Sequence, residues 1–81
     1  MSDDGDIVGA RGVIVVATRG AAGPGEVVLR VRGGTEAFLA ISTEPMARGE
    51  QVLVIEALGG RRVAVIPWSD TGLRVVNPDQ M

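Results

Sequence analysis

Between residues 10 and 68 the chain is written in short apolar runs of valine, isoleucine and leucine, broken by glycine and proline at roughly regular intervals. Runs of that length, rich in β-branched residues and bounded by turn formers, predict strands. They fall at residues 12–18, 25–32, 36–42, 51–58 and 62–68, five strands in all. The second alternates cleanly. Val27, Leu29 and Val31 share one face, while Glu26, Val28, Arg30 and Arg32 share the other, so this strand has one wet side. The fourth is apolar on both sides, with Val52 and Val54 opposing Leu53 and Ile55. Both of its faces call for cover, in a curled barrel or at a subunit contact.

Two connections are tight. Gly33 and Gly34 join the second and third strands, and the "GGR" that begins at Gly59 joins the fourth and fifth, since glycine supplies the positive φ that hairpin turns demand. The third connection, "TEPMARG", is the longest, and Pro45 and Gly49 leave less than one helical turn of free sequence in it. Five short strands, two tight hairpins and one longer crossing predict an all-β fold, a five-stranded OB-like Greek-key barrel with little or no helix. The acidic, glycine-spaced residues 1–9 read as a flexible leader, 10–68 as the barrel, and 69–81 as a polar tail whose "LRVV" at Leu73 to Val76 has the makings of a short extra strand.

Composition narrows the function. The stretch "GEQVLVIEAL" resembles the phrase that precedes the modified lysine of biotinyl and lipoyl carrier domains, yet all eight basic residues of this chain are arginine, which cannot be acylated in that way. Cysteine and histidine are both absent, which removes disulfides, thiolate metal sites and the commonest general base. With 81 residues, one small domain near the lower limit of self-sufficient cores is expected, so a compact barrel or a homo-oligomer is favoured. A net charge of −2 and a pI of about 4.9 argue against nucleic acid and anionic membranes as partners. No segment approaches the roughly 20 apolar residues of a spanning helix, and the N-terminus lacks a signal pattern. The chain is expected to be soluble, in the cytoplasm or at a membrane surface.

Each residue set with chemical potential has a plainer reading. "GAAGPG" at 20–25 has no lysine or hydroxyl after it and opens no helix, so it is a strand connector and not a phosphate cradle. Asp3, Asp4 and Asp6 offer oxygens to a hard cation, but an isolated acidic leader lacks the remaining ligands. Ser42, Thr43 and Glu44 have no base to activate a nucleophile and read as loop residues. Arg30, Arg32, Arg61 and Arg62 form a candidate basic stripe of the kind OB folds use for oligonucleotides, although Phe38 and Trp68 are the chain's only aromatic stacking platforms. No catalytic residue, metal ligand or cofactor site is predicted.

"PGEV" from Pro24 and "MARGEQVLVIEALGGRRVAVIP" from Met46 resemble the C-terminal domain of NfeD-like proteins: a proline and glycine open the second strand, and alternating valines, a turn glycine and a valine-rich strand ending in proline follow. The resemblance runs from about Gly12 to Trp68. It implies a bacterial-type, non-catalytic OB domain that serves protein interaction beside membrane-bound stomatin-like or flotillin-like partners. Full-length members carry transmembrane helices that this chain lacks, which fits either an excised domain or a free-standing short member. A single-stranded nucleic-acid or oligosaccharide binder is the alternative.

The apolar surplus points to the candidate surface. Val13 and Val15 oppose Ile14 and Val16, Val52 and Val54 oppose Leu53 and Ile55, and Val63 and Val65 oppose Ala64 and Ile66. One set fills the barrel and the other must face outward. Trp68, Ile66, Ile55 and Leu53, together with Arg30 and Arg32, are therefore the candidate partner-binding residues, with Trp68 either an interface anchor or a barrel plug.

Overall fold

The computed structural model describes residues 7–68. The expected leader residues 1–6 and the tail 69–81 lie outside the described residues. Seven strands follow in order: β1 (Arg11–Val16), β2 (Thr18–Arg19), β3 (Gly25–Val31), β4 (Gly34–Ile41), β5 (Pro45–Met46), β6 (Gln51–Gly59) and β7 (Arg62–Pro67). Five of them close a barrel in the order β1-β3-β4-β7-β6, with β1 returning to β6, while β2 and β5 form a separate two-stranded sheet. All barrel neighbours run antiparallel except β4 and β7, which pair in parallel through Leu39, Ala40 and Ile41. This is the five-stranded Greek-key OB topology. A short 3-10 turn spans Gly20–Ala22.

The period of two decides which side chains enter the barrel. Ile14, Val27, Leu29, Phe38, Ala40, Val52, Val54, Val63 and Val65 point inward and are buried, and Ile14, Val27, Leu29, Ala40, Val52 and Val63 are wholly so. Register irregularities interrupt the alternation between Ile14 and Val16 on β1 and between Val54 and Glu56 on β6. Each puts two consecutive residues outside, as a bulge does. Val16, in phase with Ile14 by sequence, is accordingly 51% exposed. Ile7 also packs into the core, and the Gly9 N–H donates to the Val54 carbonyl at 2.8 Å. The chain is thus in contact with the barrel several residues before β1, within the stretch expected as leader.

The first predicted strand, 12–18, is divided at Ala17. The reason lies in Gly25, which passes so close to the Val16 and Ala17 carbonyls that no side chain fits between them. Beyond that crossing Thr18 turns inward and pairs with Met46 across the small sheet. Its hydroxyl organises this end of the barrel. The Met46 N–H donates to Thr18 Oγ1 at 2.9 Å, and the Ser42 hydroxyl donates to the Glu44 carbonyl at 2.7 Å. With its proton spent there, Ser42 Oγ accepts from Thr18 Oγ1, which lies 2.7 Å away. Ser42 is therefore a structural member of the long connection. Thr18→Val keeps the shape and deletes the hydroxyl, which strands the Met46 N–H in a buried place. A loss of about 1 to 3 kcal/mol is expected in urea denaturation; a variant as stable as the parent would show that the network contributes nothing.

The two tight turns are as expected in position. Gly60 and Arg61 occupy the β6–β7 loop, both with positive φ, 62° and 58°, as a type I′ hairpin requires. In the β3–β4 loop the central residues are Arg32 and Gly33, with Gly33 at φ 78°, and Gly34 already belongs to β4.

Candidate interaction surface

Inward packing fixes what the outside displays. On β6 the bulge turns Ile55 outward beside Glu56, and Leu53 stands directly opposite Ile66 of β7. On its other side Leu53 faces Arg11 of β1, and Val13 faces Gln51. Ile55, Val13 and Ile66 are 49%, 42% and 41% exposed. Leu53 is half-buried between them. An apolar strip therefore crosses β7, β6 and β1. The outer face of β3 and β4 is more mixed, with Glu26 opposite Leu39, Val28 opposite Ala37 and Arg30 opposite Thr35.

Trp68 closes the upper end of the strip. Its backbone N–H donates to the Gln51 carbonyl at 2.9 Å, and the Arg11 guanidinium lies 5.3 Å from its ring centroid. The residue is half-buried and takes no place in the barrel core. Its indole N–H is buried with no hydrogen-bond partner among the described residues. Buried donors of this kind are costly and uncommon.

The six candidate residues are thus divided. Leu53, Ile55, Ile66 and Trp68 share one face of β6 and β7, whereas Arg30 and Arg32 line a groove at the barrel end where the two hairpins turn. Sequence reading missed how Phe38 and Arg61 cooperate there. Phe38 points into the barrel, and Arg61 lies over its ring at 4.6 Å while donating to the Ala37 carbonyl at 2.9 Å. The only available signal was Phe38 in phase with Ala40 on an alternating strand. With one aromatic face capped by Arg61 and the other aromatic beside Arg11, the stacking platforms of an oligonucleotide-binding barrel are not displayed. Among the described residues no three acidic side chains gather to hold a metal, and no helix is long and apolar enough to cross a membrane.

A closed five-stranded barrel with this strand order, an apolar strip on one side and an arginine-lined end belongs to the OB class. Comparison with known proteins narrows the class to a family. The family model for the NfeD C-terminal domain matches residues 11–66, and the chain belongs to that family. The fold is similar to the solution structure of the soluble domain of the NfeD protein YuaF from Bacillus subtilis, with 31% identity and a TM-score of 0.65 over 76% of this chain and 74% of that one. No curated protein matches the chain.

Proposed function

We propose that this NfeD-type domain is a non-catalytic interaction module that docks, through the strip of Leu53, Ile55, Ile66 and Trp68, onto a membrane-bound stomatin-like or flotillin-like protein. The observation that carries this reading is the concentration of exposed large aliphatic side chains on one side of a barrel whose interior is already filled. Surfaces of that kind, bordered by polar groups such as Arg11 and Glu56, are where soluble domains meet partners. The half-buried Trp68 at the margin of the strip supports the same face, because tryptophan is a frequent interface anchor. The partner class rests on the family resemblance, and with it a working place at a membrane surface.

Ile66→Glu tests the reading. The side chain is outward, so the variant is expected to fold with an unchanged circular dichroism spectrum. Its affinity for a stomatin-like protein in lipid nanodiscs should fall at least about tenfold, since a charge is forced into an apolar contact. Binding of the glutamate variant at parental affinity refutes the proposal. Self-association lost in the same variant by light scattering would instead assign the strip to a second copy of the chain.

A further inference from the structure

The parallel ladder between β4 and β7 covers only Leu39, Ala40 and Ile41, so residues 34–38 of β4 extend past the β6–β7 turn with β3 on one side and, among the described residues, no strand on the other. The Leu39 N–H donates to the Arg61 carbonyl at 2.8 Å, which fixes the phase: the backbone groups of Leu39 point away from β3. Those of Ala37 and Thr35 do the same, because the direction repeats every second residue. This is an open edge of the kind that invites an incoming strand. Gly34, Thr35, Glu36 and Ala37 are all exposed along it. One side chain obstructs it. Arg61 donates from Nη2 to the Ala37 carbonyl at 2.9 Å, pairs with Glu36 at 3.4 Å and lies over the Phe38 ring. Its guanidinium thereby occupies the place that a neighbouring strand, about 4.8 Å away, would take. The turn position is costly for this residue, since Arg61 has φ 58°, where glycine is the favoured choice.

We propose that residues 34–37 form a latent pairing edge for a second copy of the chain, and that Arg61 holds this edge closed. The edge is self-complementary. In an antiparallel pairing about a two-fold axis at Thr35, the Thr35 N–H and carbonyl of each copy meet the carbonyl and N–H of the other. Glu36 then lies opposite Gly34 of the second copy and not opposite a second Glu36, and threonine against threonine is a favourable cross-strand pair. With Arg61 in place, the same approach would drive each guanidinium off its carbonyl, its carboxylate and its ring. A charged side chain laid along an edge is one means by which folded domains avoid joining edge to edge. Arg62, the neighbouring arginine, does not guard this edge, because its guanidinium donates to the Leu58 and Gly59 carbonyls of its own hairpin. The edge is separate from the strip of Leu53, Ile55, Ile66 and Trp68 and does not depend on that docking reading.

Arg61→Gly in the full chain is the test, read by light scattering over a concentration series and by amide hydrogen exchange. Glycine adopts the φ of the turn freely, so the variant is expected to fold with a circular dichroism spectrum like the parent's. Arg61→Asn, which also tolerates positive φ and is too short to cap Ala37, is the second variant and should behave alike. The average mass should rise with concentration toward about twice the parental value. The Thr35 amide should exchange at least about tenfold more slowly in the associated form. Thr35→Pro deletes that donor where an edge strand accommodates proline, and in the Arg61→Gly background it should return the mass to the parental value. Arg62→Gln removes the same charge but leaves the cap, and it should match the parent. Ile66→Glu, added to Arg61→Gly, should leave the rise in mass intact. Parental mass and parental Thr35 exchange in both Arg61 variants overturn the proposal. So does association that survives Thr35→Pro, that appears equally in Arg62→Gln, or that Ile66→Glu abolishes.

Discussion

Gly25→Ala is expected to leave the domain largely unfolded at room temperature. A Cβ at this position would overlap the Val16 carbonyl oxygen outright and come within 2.7 Å of the Ala17 carbonyl oxygen. Both obstacles are backbone, so no rotamer change relieves them; β1 and β3 would have to separate where their pairing begins. Overpacking in a tight core costs about 1 to 3 kcal/mol, and more when main chain must move. A domain of this size has only about 3 to 5 kcal/mol to lose. Gly34→Ala is the control, since its Cβ would meet nothing within 4 Å and Gly34 lacks a positive φ. That variant is expected to stay within about 0.5 kcal/mol of the parent. Urea titration followed by circular dichroism distinguishes them, and a cooperative transition for Gly25→Ala at the parental midpoint would contradict the packing described.

Ile14→Ala and Ile66→Ala remove the same atoms from opposite sides of the barrel wall. Ile14 is wholly buried, and its loss opens a cavity among Val27, Leu29, Val52 and the other core side chains. The expected cost is about 2 to 5 kcal/mol, comparable with the whole stability of the domain. Ile66, 41% exposed, leaves no enclosed void when truncated, and about 1 kcal/mol or less is expected. Comparable urea midpoints for the two variants would mean that the assignment of inside and outside is wrong.

The barrel was legible in the sequence because its strands obey a period of two that only one wrapping satisfies. Val27 and Leu29, Val52 and Val54, and Val63 and Val65 all enter the interior on the faces that alternation assigns them. Alternation fails at Val16, where a register irregularity shifts the phase. A bulge is set by the neighbouring strand, here by the crossing at Gly25, and one strand's letters do not contain it. The same limit explains the two-stranded sheet. Thr18 and Met46 are 28 residues apart, and nothing local marks either as a partner of the other. Of the candidate surface, Ile55 and Ile66 were legible as outward-facing once the opposite set had filled the core. The groove was not. It is assembled from the segment before β1, two turns and residues of both β3 and β4, and the coupling of Arg61 to Phe38 depends on a positive φ at a residue that usually avoids it.

Closure of the barrel also governs how any protein can be recognised by it. Each barrel strand has a neighbour on both sides, and beyond the short β1–β6 ladder the Ile14 N–H and carbonyl are taken by Glu50 and Gly49. Among the described residues, the stretches paired on both edges, such as Leu39 and Ala40 of β4 and Val52 and Leu53 of β6, offer no free row of backbone donors and acceptors for an incoming strand to extend. Partners that capture peptides by strand addition gain much of their affinity from such rows and tolerate many side chains. Here that generic, sequence-tolerant route is closed wherever both edges of a strand are paired. Recognition there must be written in side chains, so selectivity for one partner over its paralogues is set by a few outward residues and is open to change by single substitutions that leave the barrel untouched.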